Sequence, residues 1–178
     1  MNNWYRFRLG GLNSHLILTL MKDFENFGDI NKKDLIELNY SKETIDSISS
    51  LLEIDLEDEK EKYKRNKVRI LSYNSDEYPR MLKEISNPPP FLYVKGNGDF
   101  SNKSLAVVGT RKISSYGKLA CDKIVSGFNN KGITIVSGLA LGVDTYAHEI
   151  ALKGNSSVIG VVAQGLDIIY PPSNARLY

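Results

Sequence analysis

Three apolar segments, each containing a glycine at or near its end, constrain the fold of this chain more than any other feature. They occupy residues 105–111, 133–139 and 158–165. Their glycines Gly109, Gly138 and Gly165 are separated by 29 and 27 residues, close to the length of one strand and one crossover helix. Continuous apolar runs are typical of parallel strands that are covered on both faces. The sequence therefore predicts a βαβαβ unit, that is, an α/β fold with a Rossmann-like parallel sheet.

The same glycines predict where a ligand binds. In an open parallel sheet, ligands bind beyond the carboxyl ends of the strands, and a glycine there lets the backbone approach the ligand closely. We therefore expect Gly109, Gly138 and Gly165 to line one crevice.

The residues after the first glycine predict an anion site. Thr110, Arg111 and Lys112 precede a helix for which Ser114 or Ser115 could be the N-cap. Free N–H groups at a helix N-terminus attract anions, and arginine adds a forked set of donors. A phosphate contact for Arg111 is the favoured interpretation, and an ion pair with a surface carboxylate is the alternative.

The two predicted helices carry the remaining local expectations. The first is expected to have an apolar stripe of Ala120, Ile124 and Phe128 and to end at Gly132, at the C′ position. In the second, Asp144 is expected to cap the helix through its side chain. His148 is interpreted as a buried histidine bonded to a backbone carbonyl, since no serine or cysteine nucleophile is placed near it.

The third apolar run leads to Tyr170 and then to two prolines. The tyrosine ring could stack on a base, or it could wedge the loop against the sheet, and the sequence leaves both open.

The N-terminal part has a different pattern. Apolar residues recur at helical spacing over about the first 50 positions, and a highly charged run follows at residues 53–65. We predict a small helical module over residues 1–65, resembling a SAM-like or helix-hairpin-helix module, and a sheet domain over 66–178. The module either contacts DNA or another protein, or it only packs as a cap.

Composition narrows the class of protein. Apolar residues make up 42% and charged residues 25%, as in ordinary globular proteins. No apolar run reaches the ~18 residues of a membrane span, and the N-terminus lacks a secretory signal, so we expect a cytoplasmic protein. One cysteine and two histidines exclude an internal disulfide and a Cys/His zinc site. No P-loop motif is present, so nucleotide hydrolysis of that kind has no support, and no cofactor is expected.

Charge is distributed unevenly. Residues 1–100 carry 15 basic and 17 acidic side chains, net −2, whereas residues 101–178 carry 8 and 4, net +4. The positive half is the one with the predicted crevice, which favours an anionic ligand.

The order of these motifs resembles the DprA (Smf) family of DNA-processing proteins of natural transformation. The resemblance covers about residues 78–177. It rests on Tyr78-Pro79, Pro89, Leu92-Tyr93, Lys95-Gly96, Val108 to Arg111, Ser115 to Gly117, Val136 to Ala140, Gly142, Asp144, Ala147-His148, Gly165 to Asp167, Tyr170-Pro171 and Asn174.

The resemblance implies a non-enzymatic protein that binds single-stranded DNA, protects incoming DNA and helps to load the RecA recombinase. It assigns Arg111 to the DNA-binding pocket. The residues expected to contact nucleic acid are Gly109, Thr110, Arg111, Lys112, Ser115, Ser137, Gly138, Leu139, Gly165 and Tyr170. Implied partners are single-stranded DNA, RecA and, in full-length members, a second copy of the chain.

The chain departs from the family pattern in its length. The second half of the family's sheet, with a further basic motif and the surfaces for self-association and RecA, is not in these 178 residues. We therefore expect a truncated sheet whose open edge favours association. The alternative function is a nucleotide-binding enzyme of the lysine-decarboxylase-like Rossmann group acting on nucleoside monophosphates. That group's Pro-Gly-Gly-x-Gly-Thr loop and glutamate are absent.

Overall fold

The computed structural model describes residues 2–178, which divide into two compact units. The first unit ends at Gly96 and the second begins at Asn97. Within the described residues, no helix is both long enough and apolar enough to cross a bilayer. The domain change predicted between residues 65 and 66 falls inside the first unit.

The first unit is mostly helical, as its sequence periodicity predicts. Its elements are α1 (Tyr5–Leu9), α2 (Ser14–Asp23), a 3-10 turn (Phe27–Asp29), α3 (Lys32–Glu37), α4 (Lys42–Leu51), α5 (Glu57–Arg65), β1 (Val68–Ser72), α6 (Arg80–Lys83) and β2 (Phe91–Lys95). Side chains of Asn13, Asn31 and Ser41 cap α2, α3 and α4, each accepting a hydrogen bond from a first-turn N–H group. These caps explain why each short helix begins where it does.

The core of the first unit includes a residue from the small sheet. β1 and β2 pair antiparallel, and Phe91 of β2 is buried in the same cluster as Phe7, Ile17 and Ile48. The Tyr5 hydroxyl also hydrogen-bonds to the hydroxyls of Tyr63, at 3.1 Å, and Tyr93, at 2.8 Å. Because the two strands share the helical core, the first compact unit extends beyond the charged run to Gly96.

The second unit has the predicted βαβαβ order. Its elements are β3 (Ser104–Ala106), α7 (Ser115–Ser126), β4 (Thr134–Ser137), α8 (Val143–Lys153), β5 (Val158–Gly160) and a 3-10 helix (Pro172–Leu177). The strands are parallel in the order β3-β4-β5, with Ile135 opposite Leu105 on one side and Val158 on the other. The Rossmann-like α/β prediction is therefore confirmed.

The burial of the strands differs from the prediction. β4 is largely buried, but Ser104 and Ala106 of β3 and Gly160 of β5 are exposed. Leu105 and Val158 pack into the same cluster as α7 and α8 residues. Right-handed crossovers between adjacent strands place both helices on one face of the sheet. The expectation that all three runs are covered on both faces is therefore wrong for β3 and β5.

The buried face of α7 also differs from the prediction. Cys121 and Val125 are buried, whereas Ile124 is 55% exposed and Ala120 and Phe128 are only half-buried. The helix ends at Ser126, before a run of turns that contains Gly132. The predicted stripe was one residue out of phase, because apolar residues occupy both sets of positions. Burial raises the pKa of the Cys121 thiol, which agrees with a packing role.

Candidate functional site

Two loops follow the carboxyl ends of neighbouring strands. We call residues 107–114, between β3 and α7, the arginine loop, and residues 138–142, between β4 and α8, the glycine loop. Because the strands are parallel, both loops leave the sheet at the same end, the carboxyl ends of the strands. This end of the sheet contains most of the residues that the sequence assigned to the site.

The arginine loop presents its cations to solvent. Arg111 and Lys112 are exposed, and Arg111 forms no salt bridge within residues 2–178. The Thr110 hydroxyl accepts a hydrogen bond from the Lys112 N–H at 3.1 Å, which shapes the turn. The surface ion pair considered as the alternative for Arg111 does not form among these residues.

The N-terminus of α7 follows the arginine loop directly. Ser114, and not Ser115, is the N-cap, and its hydroxyl accepts a hydrogen bond from the Gly117 N–H at 3.1 Å. The first turn, which is fully described, contains no acidic side chain. A helix start of this kind carries a partial positive charge beside the two exposed cations. This part of the site is therefore suited to an anion.

The two loops contact each other through their backbones. The Val143 N–H donates to the Thr110 carbonyl at 3.1 Å. Gly142 has a φ of +85°, and a Cβ atom built on it would lie 2.6 Å from the carbonyl carbon of Arg111. A Cβ on Gly109 would lie 2.7 Å from a methyl carbon of Val143. Glycine at positions 109 and 142 therefore allows the arginine loop to rest against the start of α8.

Asp144 has a different role from the predicted helix cap. Its Oδ2 atom accepts hydrogen bonds from the N–H groups of Gly138, at 3.1 Å, and Ala140, at 3.4 Å. The N-cap of α8 is Gly142, and Asp144 lies in the first turn. The carboxylate therefore ties down the preceding loop. As a consequence, the Gly138 N–H group is already bonded and is not free for a ligand.

Two further predicted site residues are internal. Ser137 is buried, and its hydroxyl donates to the Val107 carbonyl at 2.6 Å. Leu139 is buried with a φ of +56°, and a Cβ built on Gly160 would lie 2.8 Å from its Cγ. Both residues hold the strand ends together. The other predicted residues at this end of the sheet are exposed: Gly109, Thr110, Arg111, Lys112, Ser115 and Gly138.

His148 is buried, as predicted, but it lacks the expected carbonyl bond. Neither ring nitrogen has a hydrogen-bond partner within the described residues. Burial lowers the pKa of His148, while the nearby Ser137 backbone and Asp144 act in the opposite direction. Although the Ser137 backbone lies close by, its geometry does not meet that of a hydrogen bond to the ring.

The segment after β5 carries Gly165 and Tyr170. The Tyr170 side chain is 62% exposed, so it does not wedge the loop against the sheet. Its carbonyl accepts a hydrogen bond from the Tyr178 hydroxyl at 3.1 Å. Gly165 is exposed, and a Cβ built on it would meet side chains of its own loop, Asp167 first, and neither Gly109 nor Gly138. The ring of Tyr170 is accessible for stacking.

Asn174 is a supporting residue that local sequence patterns did not reveal. It is buried, and its amide nitrogen donates to the Leu139 carbonyl at 2.8 Å and the Thr145 hydroxyl oxygen at 2.7 Å. In the sequence it stands out only through the family resemblance. Its residue type and its position shortly after two prolines predict an exposed side chain, so local sequence gives no sign that it is buried.

Known proteins resemble this chain over much of its length. The sequence model of DNA recombination-mediator protein A matches residues 69–178, which is more than half of the chain. The chain belongs to this family. DNA processing protein DprA from Streptococcus pneumoniae is 33% identical over 175 residues, which cover 97% of this chain and 61% of the relative. Protein Smf from Synechocystis is 38% identical over 123 residues, covering 66% of this chain and 31% of that protein.

Solved DprA structures share the fold. The X-ray structure of DprA from S. pneumoniae matches with a TM-score of 0.77 at 32% identity, over 99% of this chain and 63% of that one. A Helicobacter pylori DNA processing protein A structure, described as giving insight into its single-stranded DNA binding mode, matches with a TM-score of 0.53 at 31% identity. It covers 60% of this chain and 47% of that one. This chain thus spans about a third to two thirds of the length of these relatives.

Proposed function

We propose that this chain binds single-stranded DNA through the arginine loop and the N-terminus of α7. The proposal rests on one observation: Arg111 is exposed and forms no ion pair among residues 2–178. It lies beyond the carboxyl end of β3 in a DprA family domain. The H. pylori relative, described as binding single-stranded DNA, supports the choice of ligand. No catalytic step is part of this proposal.

The surrounding charges favour a polyanion. Of the four acidic residues after position 100, Asp144 is bonded to the glycine loop and Glu149 forms an ion pair with Arg176. Two of the four carboxylates in this part of the chain are therefore already bonded to other groups. Single strands are bound by phosphate contacts together with stacking of bases on aromatic rings, and the exposed Tyr170 ring is proposed to supply the stacking surface.

The site residues divide into two roles under this proposal. Arg111, Lys112, Thr110 and Ser115 contact the phosphates, and the exposed Gly109 is proposed to contact the strand through its backbone. The buried residues Ser137 and Leu139, and Gly138 through its N–H bond to Asp144, act by holding the neighbouring loop in place. Gly165 lies in the loop that carries Tyr170 and is proposed to contact bases there.

The proposal is tested by measuring binding to fluorescent oligo-dT at several salt concentrations. Arg111→Ala should weaken binding about fivefold to tenfold and make the slope of log affinity against log salt shallower by about 0.7, since one phosphate contact is lost. Lys103→Ala is the matched control, because it removes the same charge from an exposed residue that precedes β3, at the opposite end of the strand. Equal effects of the two substitutions would reject the proposal.

The wider role in DNA processing is proposed from the family alone. We propose that the bound strand is protected from nucleases and that the protein assists RecA loading on it. Digestion of an oligonucleotide by a single-strand nuclease, and the rate of RecA assembly on the strand, measure the two effects separately. Arg111→Ala should reduce both in proportion to its loss of binding if they depend on the same site. Protection or loading that is as strong in this variant as in the wild-type protein would place them elsewhere.

A further inference from the structure

Asn174 lies far from the arginine loop in sequence, but hydrogen bonds connect the two. Its amide nitrogen donates to the Leu139 carbonyl and the Thr145 hydroxyl oxygen, with a longer bond of 3.5 Å to the Ala140 carbonyl. The Thr145 hydroxyl in turn donates to the Ala140 carbonyl at 2.6 Å. Two carbonyls of the glycine loop, those of Leu139 and Ala140, are therefore bonded to side chains that follow the loop. Two N–H groups of the same loop are bonded to Asp144.

The end of the glycine loop contacts the arginine loop. Gly142 is the last residue of the glycine loop, and Val143, the first residue of α8, donates through its N–H group to the Thr110 carbonyl. A side chain at position 142 would overlap the backbone of Thr110 and Arg111. The position of the Arg111 backbone therefore depends on the conformation of the glycine loop, which Asn174 and Thr145 hold.

We infer that Asn174 is a positioning residue for Arg111, acting through the glycine loop. The inference rests on the proposed function of Arg111, and it adds a residue that touches no ligand. Asn174 lies on the 3-10 helix Pro172–Leu177, so this helix is coupled to the proposed DNA-binding surface at the arginine loop. Loss of the amide leaves the Leu139 carbonyl without its buried donor, and the loop relaxes to restore hydrogen bonding.

The first experiment requires no ligand. Hydrogen exchange of the full chain is measured for the amides of Lys112 and Val143, which are hydrogen-bonded to Thr110, in the wild-type protein, Asn174→Ala, and Thr145→Val. Both variants should speed exchange at these amides about threefold to tenfold, because the loop opens more often. Ser173→Ala is the control, since this exposed neighbour lies on the same helix. Unchanged exchange in both Asn174→Ala and Thr145→Val would overturn the inference.

The second experiment is a double-mutant cycle on oligo-dT binding with Arg111→Ala and Asn174→Ala. Alone, Asn174→Ala should weaken binding about threefold to tenfold, and in the Arg111→Ala background it should have almost no further effect. Equal losses in both backgrounds would show a general structural role and overturn the inference. If Asn174→Ala does not fold, Thr145→Val replaces it in the cycle. Failure of the proposed function is recognised separately, because Arg111→Ala alone would then leave binding unchanged, while the exchange experiment still decides the coupling.

Discussion

Substitution of Gly142 by alanine tests the contact between the two loops. Gly142 has a φ of +85° and a ψ of −122°, outside the left-handed helical region, and a residue with a side chain is strained there at a cost of about 1–3 kcal/mol. In addition, the new Cβ would lie 2.6 Å from the Arg111 carbonyl carbon, so the backbone of the arginine loop must move. Relieving such an overlap typically costs about 1–3 kcal/mol. We expect Gly142→Ala to lower the free energy of unfolding of the second unit by about 2–6 kcal/mol.

Gly132→Ala separates the two contributions. Gly132 also has a positive φ, of +65°, but a Cβ built on it meets no atom within 4 Å among the described residues. It should therefore show only the conformational cost of about 1–2 kcal/mol. The assay is native-state hydrogen exchange of the α8 amides, which reports on the second unit by itself. If Gly142→Ala and Gly132→Ala destabilise equally, the arginine loop does not rest on Gly142, and the proposed coupling between the two loops fails with it.

Three further predictions concern single groups. Burial lowers the pKa of His148 below its unfolded value of about 6.5, so below this pH the unfolded chain takes up a proton that the folded chain does not, and the free energy of unfolding should fall. His148→Leu should flatten this pH dependence in urea titrations at pH 8 and pH 5. An unchanged pH dependence in the variant would contradict the prediction. Ser114→Ala should cost about 1 kcal/mol by removing the α7 cap, measured by exchange of the first α7 amides, with no change expected for the exposed Ser115→Ala. Tyr5→Phe should cost about 1–2 kcal/mol through two lost hydroxyl bonds, and a loss near zero in thermal unfolding would show that water replaces them.

The order of elements in the second unit was predictable from sequence. Apolar runs with glycines about 28 residues apart fit few arrangements other than alternating strands and crossover helices. The helical periodicity of the first unit was equally informative. In these cases the signal is local, because a strand, a helix or a cap depends on residues within one or two turns.

Burial and hydrogen bonding across the fold were less predictable. The phase of the α7 stripe failed because apolar residues occupy positions 120 and 124 as well as 121 and 125, and only the sheet decides which pair is covered. Asp144 has the residue type and place of a helix cap, but the N–H groups that it binds lie on the loop before the helix. The partners of Asn174 are 29 to 35 residues away, a distance over which sequence patterns carry little information.

The proposed function depends above all on the arginine loop receiving the phosphates of single-stranded DNA. Recording amide chemical shifts of the full chain by NMR, while oligo-dT is added, tests this contact most directly. We expect the largest shifts at Thr110, Arg111, Lys112 and Ser115, and we expect them to vanish as salt is raised. Shifts confined to residues 2–96, with the arginine loop unaffected, would contradict the proposal.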